Sequence, residues 1–510
     1  MMLAEMQEAV KHGAAMIELR LDFLKKAPDF QRLLAAKPCP VIAAVRRPPD
    51  GGKWDQSEDA RRMLLRQAIV GGFDWVDLET DIADAIPRFG KVRRIVSYHN
   101  FREIPEDLEK IHARMCKQDC DVVKVAVRGQ QPADNLRVLS LVRRASKPTV
   151  AFCMGDIGIP SRILQAKFGA PFTYAAFNKE RIIAPGMPSL FELRRMYRYE
   201  EINQGTRVFG VIGDPVGHSL GPVIHNAAFR ALGVNAVYLP FRVPRDHLPE
   251  AVEAFGQLPV DGYSVTIPHK EAAAELAIQK DETVTRARSA NTLVRREGGF
   301  SAYNTDFQGF LDTLREVLPR FSAPAPAAGP GPGEAFVAAT TTSLESLSKR
   351  LVLVLGAGGV ARAVVHALHH QGALVVVANR TSDRGAALAE EVGGRHVEWS
   401  ARHSIVCDLV VNCTSVGMHP NVDETPIHHS YLRPGMVVFD TVYTPETTLL
   451  VKEARERGCH VITGVELFIR QAALQFENFL GQRAPVDLFL RETRRALSPV
   501  TIRDDDEAAM

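Results

Sequence analysis

The run VVKVAV sets one ammonium, Lys124, inside an otherwise apolar strand pattern. Burial and neighbouring cations lower the pKa of such a lysine and leave free amine at neutral pH to attack a carbonyl. His99, at the end of the preceding run RRIVSYH, is placed to carry a proton beside it. Glu18, Arg20 and Arg46 lie at or near the ends of neighbouring runs, and arginines hold carboxylates by paired hydrogen bonds. A second set lies further along. Lys270 ends SVTIPHK and Asp306 sits in YNTDFQGF, an ammonium and a carboxylate able to move a proton to an alkoxide left by hydride transfer. Ser219, in the turn before GPVIHNAAFRALG, joins a hydroxyl to a helix N-terminus, which suits a carboxylate.

Each residue alone has a plainer reading. Lys124 and Glu79 could form a structural ion pair, His99 could cap a strand, PHK could start a helix, and Asp306 could be an N-cap. The combination favours chemistry.

A third set is GAGGVARA. Gly356, Ala357, Gly358, Gly359 and Ala361 follow a clean strand and open a helix, a dinucleotide-binding pattern. In that fold the second strand usually ends in a carboxylate that takes the ribose hydroxyl of NAD. Here the place holds Asn379, Arg380 and Thr381, with Arg384 close behind. A carboxylate would repel a 2′-phosphate, whereas two guanidinium groups pair with it and stack on adenine. The expected cofactor is NADP.

Positioning these sets takes several domains. At 510 residues the chain is too long for one core. Between residues 16 and 178, seven β-rich runs alternate with helical or loop stretches: MIELRLD, PVIAAVR, WVDLET, RRIVSYH, DVVKVAV, TVAFCMG and PFTYAAF. That alternation implies a parallel sheet, and its density implies a small (β/α)8-type barrel lacking one strand. The pattern restarts near residue 205 with TRVFGVIGDPVGHS, and again with RLVLVLGAGG, which opens a Rossmann-like unit. The fold class is α/β throughout. The segment GVELFIRQAALQFENFLG reads as an amphipathic helix, SAPAPAAGPGPGEAFVAATTTS as a flexible insertion, and TIRDDDEAAM as a frayed tail. The expected division is 1–204, 205–318 with 463–496, an insertion at 319–349, and a nucleotide domain at 350–462.

Composition narrows the classes. Apolar residues at 46% and charged residues at 24% are ordinary for globular protein. A net charge of +2, with both signs interspersed, argues against nucleic-acid partners. No apolar run approaches the ~20 residues of a membrane span, and the N-terminus lacks signal-peptide character. Seven scattered cysteines without a CxxC pair suggest reduced thiols in a cytoplasm and no metal site.

Residues 1 to about 200 resemble type I 3-dehydroquinate dehydratase, through ELRLD, the Arg46 loop ending in DGG, SYHNF, VVKVAV, SRILQAKFGAPFTY and APGMPS. The resemblance implies that Lys124 forms a Schiff base with the substrate ketone. His99 would remove the acidified proton and return one to the departing hydroxyl. It places Glu18, Arg20, Arg46 and Arg162 at substrate-binding positions. Asp50 stands where the family usually has the Glu that partners the histidine. Ala184 and Met187 replace a Ser and a Gln of the loop over the substrate, which implies a looser lid and a higher Michaelis constant.

Residues 206 to 495 resemble shikimate dehydrogenase, through SVTIPHK, ANT, NTD, GAGGVARA, NRT, NCTSVGM, DTVYTPETTLL and QAALQF in order. The resemblance makes Lys270 and Asp306 the catalytic pair, and puts Ser219, Thr266, Asn291, Tyr443 and Gln471 in the substrate pocket. Gly221 replaces a second serine, removing one hydrogen bond to the carboxylate. Together the halves imply a bifunctional shikimate-pathway enzyme acting on small molecules: 3-dehydroquinate, 3-dehydroshikimate and shikimate. A catabolic quinate/shikimate dehydrogenase using NAD, or a non-catalytic quinate sensor, are rivals that Arg380, Arg384 and the four catalytic residues disfavour. Related dehydratases begin with a strand before the helix at roughly Leu3 to His12, so an upstream start is expected.

Overall fold

The computed structural model describes residues 2–26, 28–178, 182–258, 260–321 and 347–498. The segment 322–346, which contains the whole Ala/Pro/Gly-rich stretch, and the tail from 499 onward lie outside the described residues. Two compact units emerge: Met1–Pro222 with Phe229–Val260, and Val223–Ala228 with Asp261–Met510.

The first unit opens with the helix Met2–Lys11. Strands β1 (Ile17–Arg20), β2 (Val41–Ala44), β3 (Trp75–Glu79), β4 (Arg93–Asn100), β5 (Val122–Arg128) and β6 (Thr149–Met154) follow, with helices between most of them. The six strands lie in sequence order, and every neighbouring pair is parallel. Successive side chains of a strand point to opposite faces. Val76, Leu78, Val96, Val123, Val125 and Val127 therefore pack with Leu65, Ile111 and Val138 of the helices. Ile42, Ile95, Val122, Ala126, Val150 and Phe152 cluster on the other face. Lys124 shares that second face with Val122 and Ala126, so a charge is carried into the barrel interior by strand periodicity alone.

The run PFTYAAF departs from expectation, because it is not a strand. Its one backbone bridge joins Ala176 to Ser189. Phe172 and Tyr174 instead pack against the interior cluster. Their alternation reflects side-chain burial without a ladder, and period-2 patterning does not separate the two. Later in this unit, Arg207–Gly213 and Ala236–Arg242 form a parallel pair.

In the second unit, Thr292–Arg296 pairs antiparallel with both Gly299–Tyr303 and the strand Val260–Val265. The nucleotide-type sheet is parallel, with strands Arg395–Glu398, Leu374–Asn379, Leu351–Leu355, Leu409–Asn412, Val437–Asp440 and His460–Ile462 in spatial order. Strand order reverses beside Leu351–Leu355, where doubly wound sheets hold ligands at the strand C-termini. No described helix is long and apolar enough to cross a membrane.

The amphipathic stretch forms the helix Gly464–Leu480, started by a capping box between Thr463 and Glu466. A side chain at Gly464 would overlap the backbone carbonyl of Val442, the residue before Tyr443. Gly464→Ala is thus expected to cost on the order of 1–3 kcal/mol, read as a lower urea midpoint. An unchanged midpoint would show that the Val442 loop yields freely.

Candidate active sites

In the first unit, the interior face gathers charge from several strands. Register alone sets Lys124 opposite Ser97, and Ser97 opposite Glu79. Lys124 is 4% exposed, with Nζ 3.2 Å from Asp77 Oδ2 and 3.5 Å from Glu18 Oε2. The ring of Tyr174 covers it, its centroid 3.8 Å from Nζ. Burial and the Arg46 guanidinium lower the lysine pKa, while Asp77 and Glu18 oppose them. The shift has the direction amine attack requires.

Arg46 is the hub. Its Nη2 donates to Asp77 at 2.5 Å and Glu18 at 3.4 Å, and its Nη1 to Glu79 at 3.3 Å. Ser97 Oγ donates to the other Asp77 oxygen at 2.5 Å. Burial alone would raise the pKa of Asp77, yet Arg46, Lys124 and His99 hold it well below the usual range. For Glu79 burial prevails, pushing it up to about 7 against Arg46 and Arg61. Arg61, on the helix Glu58–Gly71, donates to the second Glu79 oxygen at 2.5 Å.

His99 Nδ1 lies 3.1 Å from Arg46 Nη1. A guanidinium only donates, so Nδ1 accepts and the neutral ring carries its proton on Nε2. Burial, Arg46 and Lys124 hold the imidazole pKa well below its ordinary value. His99 is therefore a buried, neutral imidazole whose Nδ1 is engaged by Arg46.

Two expected residues have hydrogen-bond partners outside this cluster. Arg20 is engaged by both oxygens of Asp22, at 2.9 and 2.7 Å, and by the Gly51 carbonyl at 3.1 Å. Asp50 accepts from Arg47 Nε at 2.7 Å, whereas His99 Nδ1 lies against Arg46. The shorter acid has been taken by the adjacent arginine. Ala184 packs among the apolar residues of the interior face.

Arg162 is fully buried on the helix Ile159–Leu164, its guanidinium 4.0 Å from the Phe152 ring centroid. None of its nitrogens has a hydrogen-bond partner among the described residues, and burial pushes its pKa down to about 9. A desolvated fork of donors with no acceptor is suited to a ligand carboxylate.

In the second unit, Lys270 Nζ and Asp306 Oδ2 are 2.6 Å apart and both buried. The Lys270 stem lies against the glycine turn, since a Cβ on Gly359 would come within 2.8 Å of its Cδ. Asn291 donates to Thr305 Oγ1 at 2.8 Å and to Gln471 Oε1 at 3.4 Å. Gln475, one helical turn beyond Gln471, donates to the Asn291 carbonyl at 3.0 Å and accepts from Ser264 at 2.7 Å. Tyr443 stacks on Phe468 at 4.8 Å, and burial raises its pKa. Its loop is tied by Asp440, which accepts from Val442 N, Asn412 Nδ2 and Thr448 Oγ1. Burial pushes Asp440 up to about 6 against those donors. Thr266 is half-buried, and its carbonyl accepts from His269 N at 2.9 Å.

Ser219 belongs to the first unit. Its Oγ accepts from Gly221 N at 3.2 Å, capping the helix Gly221–Ala231 and leaving its O–H to donate. Gly221 lacks a left-handed φ, but a Cβ there would sit 3.1 Å from the Tyr238 ring.

The nucleotide turn has the shape expected for a phosphate. Gly356 has φ +109°, and a Cβ there would press on the Cys413 carbonyl at 3.0 Å. Gly358 leads into the helix Gly359–His370, with Ala361 buried in its first turn. Arg384 Nη2 lies 3.4 Å from the Ala357 carbonyl, so the second arginine stands against the glycine turn. Asn379 Nδ2 donates to the Thr381 carbonyl at 2.8 Å, and Arg380 is exposed. Neither guanidinium pairs with a carboxylate among the described residues.

Residues 1–204 match the type I 3-dehydroquinase model, 211–293 the shikimate dehydrogenase substrate binding domain, and 338–430 the shikimate / quinate 5-dehydrogenase model. A bifunctional 3-dehydroquinate dehydratase/shikimate dehydrogenase, chloroplastic, of Arabidopsis thaliana is 36% identical over 96% of this chain and 81% of its own. The chain belongs to that bifunctional family. A shikimate dehydrogenase (NADP(+)) of Methanopyrus kandleri is 38% identical over 56% of this chain and 94% of its own. A crystal structure of a shikimate dehydrogenase in complex with NADP+ overlays with TM-score 0.50 at 29% identity, covering 58% of this chain and 97% of that one.

Sequence reading missed Asp77, Ser97, Arg61, Tyr174 and Gln475. Asp77 is two residues from Glu79 on one strand, so period-2 facing was its signal. Gln475 lies four after Gln471 on one helix, a similar signal. Arg61 comes from a helix and had none.

Two outcomes follow for the binding groups. Arg162→Met should leave the urea midpoint equal or raised, because an unpaired buried cation is lost, while the Michaelis constant of the dehydratase rises by about 100-fold or more. A destabilised variant with normal substrate binding would make Arg162 structural. Gly221→Ser should improve shikimate binding by no more than about fivefold, since Tyr238 must give by a few tenths of an ångström. A weaker Michaelis constant would show that the ring does not yield.

Proposed function

We propose that residues 1–204 dehydrate 3-dehydroquinate through a Schiff base on Lys124, and that the rest of the chain reduces the resulting 3-dehydroshikimate with NADPH. In this reading 205–318 with 463–496 hold the substrate, 350–462 hold the cofactor, and 319–349 is an insertion. Supporting it most is the presence of two buried lysines in contrasting settings. Lys124 has its amine deprotonation favoured by burial and Arg46, whereas Lys270 forms a 2.6 Å ion pair with Asp306. One setting favours a nucleophile and the other a proton relay.

In the dehydratase, Arg162 takes the substrate carboxylate, and Glu18, Arg20 and Arg46 face its hydroxyls. When Arg46 moves to the substrate, His99 Nδ1 is freed as the base, and the protonated ring then delivers its proton to the leaving hydroxyl. In the reductase, Ser219 donates to the carboxylate, while Thr266, Asn291, Tyr443 and Gln471 line the pocket. Lys270 and Asp306 move the proton that neutralises the alkoxide. NADPH, when bound, supplies the hydride. Gly356, Ala357, Gly358, Gly359 and Ala361 let its pyrophosphate approach the helix N-terminus, and Asn379 and Thr381 border its ribose. Arg380 and Arg384 take the 2′-phosphate. All seven cysteines are free, which suits a reducing compartment such as the cytoplasm.

Borohydride added with dehydroquinate should trap a covalent adduct on Lys124. Adduct on another lysine, or adduct persisting in Lys124→Ala, would overturn the dehydratase assignment. For the cofactor, Arg380→Asp with Arg384→Ala is expected to weaken NADP at least 30-fold more than NAD, measured by shikimate oxidation with each. Equal losses would remove the 2′-phosphate from the account.

A further inference from the structure

We infer that the aromatic face of Tyr174 is part of the dehydratase machinery, stabilising positive charge on the Lys124 nitrogen both before and after it bonds to the substrate. This deepens the Schiff-base reading above and rests on it.

The observation is geometric. Lys124 Nζ stands 3.8 Å above the Tyr174 ring centroid, within the range of a cation–π contact. The ring is held there without a strand. Phe172 meets it edge-on at 5.8 Å, and both rings pack against Ile42, Ile95, Val122 and Phe152 of the interior face. Its hydroxyl faces Glu18 outside hydrogen-bonding geometry, so the face rather than the phenol contacts the amine.

The other groups around Nζ come from the four preceding strands or their ends: Glu18 from β1, Arg46 just beyond β2, Asp77 from β3 and His99 from β4. The two carboxylates also bond Arg46, and Asp77 takes a third bond from Ser97. Their charge is therefore shared among several donors. The ring is not. Burial raises the phenol pKa far above its ordinary value, so Tyr174 stays neutral and its face is a constant, pH-independent source of negative potential.

Imine formation keeps the charge on the nitrogen that the ring covers. The free amine donates its lone pair to the ketone carbon, the carbonyl oxygen leaves as water with uptake of one proton, and Nζ becomes a cationic iminium nitrogen. An aromatic face favours ammonium and iminium over the neutral amine by similar amounts. Removing the face then has two linked consequences. The amine pKa falls, and conversion of free amine to iminium becomes less favourable. Conversion of ammonium to iminium, which is charge-conserving, changes little.

That asymmetry gives a signature that simple loss of packing does not imitate. In Tyr174→Leu, the acidic limb of dehydratase kcat/KM against pH should move down by about one unit. Borohydride-trapped adduct should fall roughly 10-fold at pH above the amine pKa and stay near wild-type below it. A limb that does not move, or adduct lost equally at all pH, would overturn the proposal. Should Tyr174→Leu fold poorly, phenylalanine and then increasingly fluorinated phenylalanines at position 174 keep the shape while thinning the π face. The limb should descend along that series, and a limb indifferent to fluorination would refute the role. A Tyr174→Phe limb already at the leucine position would assign the effect to the hydroxyl and refute it equally. Wild-type protein that yields no Lys124 adduct would sink the Schiff-base reading itself, so the two failures are distinct.

Discussion

A charge taken from water must find another charge or dipole, and much of this structure answers that demand. Lys124 is carried into the barrel interior because it occupies an inward position of β5. Once there it needs Asp77 and Glu18, and those carboxylates need Arg46. Arg46 in turn needs Glu79, which a helix supplies with Arg61. The chain of partners runs from the interior to the outer helical layer. Breaking one member of such a network strands the others, which is why its cost exceeds any single contact.

The same demand is met differently in the reductase. Lys270 has one close carboxylate among the described residues, Asp306, at 2.6 Å. Asn291, Thr305, Gln471, Gln475 and Ser264 form the polar lining nearby, each satisfied by its neighbours. Asp440 does for the Tyr443 loop what Asp77 does for the lysine, fixing a segment by accepting several donors at once. Arg162 is buried and desolvated, and none of its nitrogens has a hydrogen-bond partner among the described residues.

Missing side chains matter as much as charges. Gly359 makes room for the Lys270 stem, so the glycine turn and Lys270 share one packing constraint. Gly464 makes room for the carbonyl ahead of Tyr443. Gly356 combines a left-handed φ with close approach to Cys413, which no other residue tolerates cheaply. These positions couple elements far apart in sequence through close packing.

Local pattern was enough to read the strands β1 to β6, the nucleotide turn, the two arginines beyond it and the helix Gly464–Leu480, because strand alternation, glycine spacing and helical amphipathicity are properties of neighbouring residues. The sequence also contained Lys124, His99, Lys270 and Asp306, in motifs ordered like those of the family. Tertiary structure decided what lies across space. It made PFTYAAF a packed loop instead of a strand, turned Tyr174 onto Lys124, gave Asp50 to Arg47, and recruited Asp77 and Arg61 into the charge network. A side chain's type and period say which face it occupies. Its partner depends on which other segment arrives at that face, and that is set only when the strands have assembled side by side.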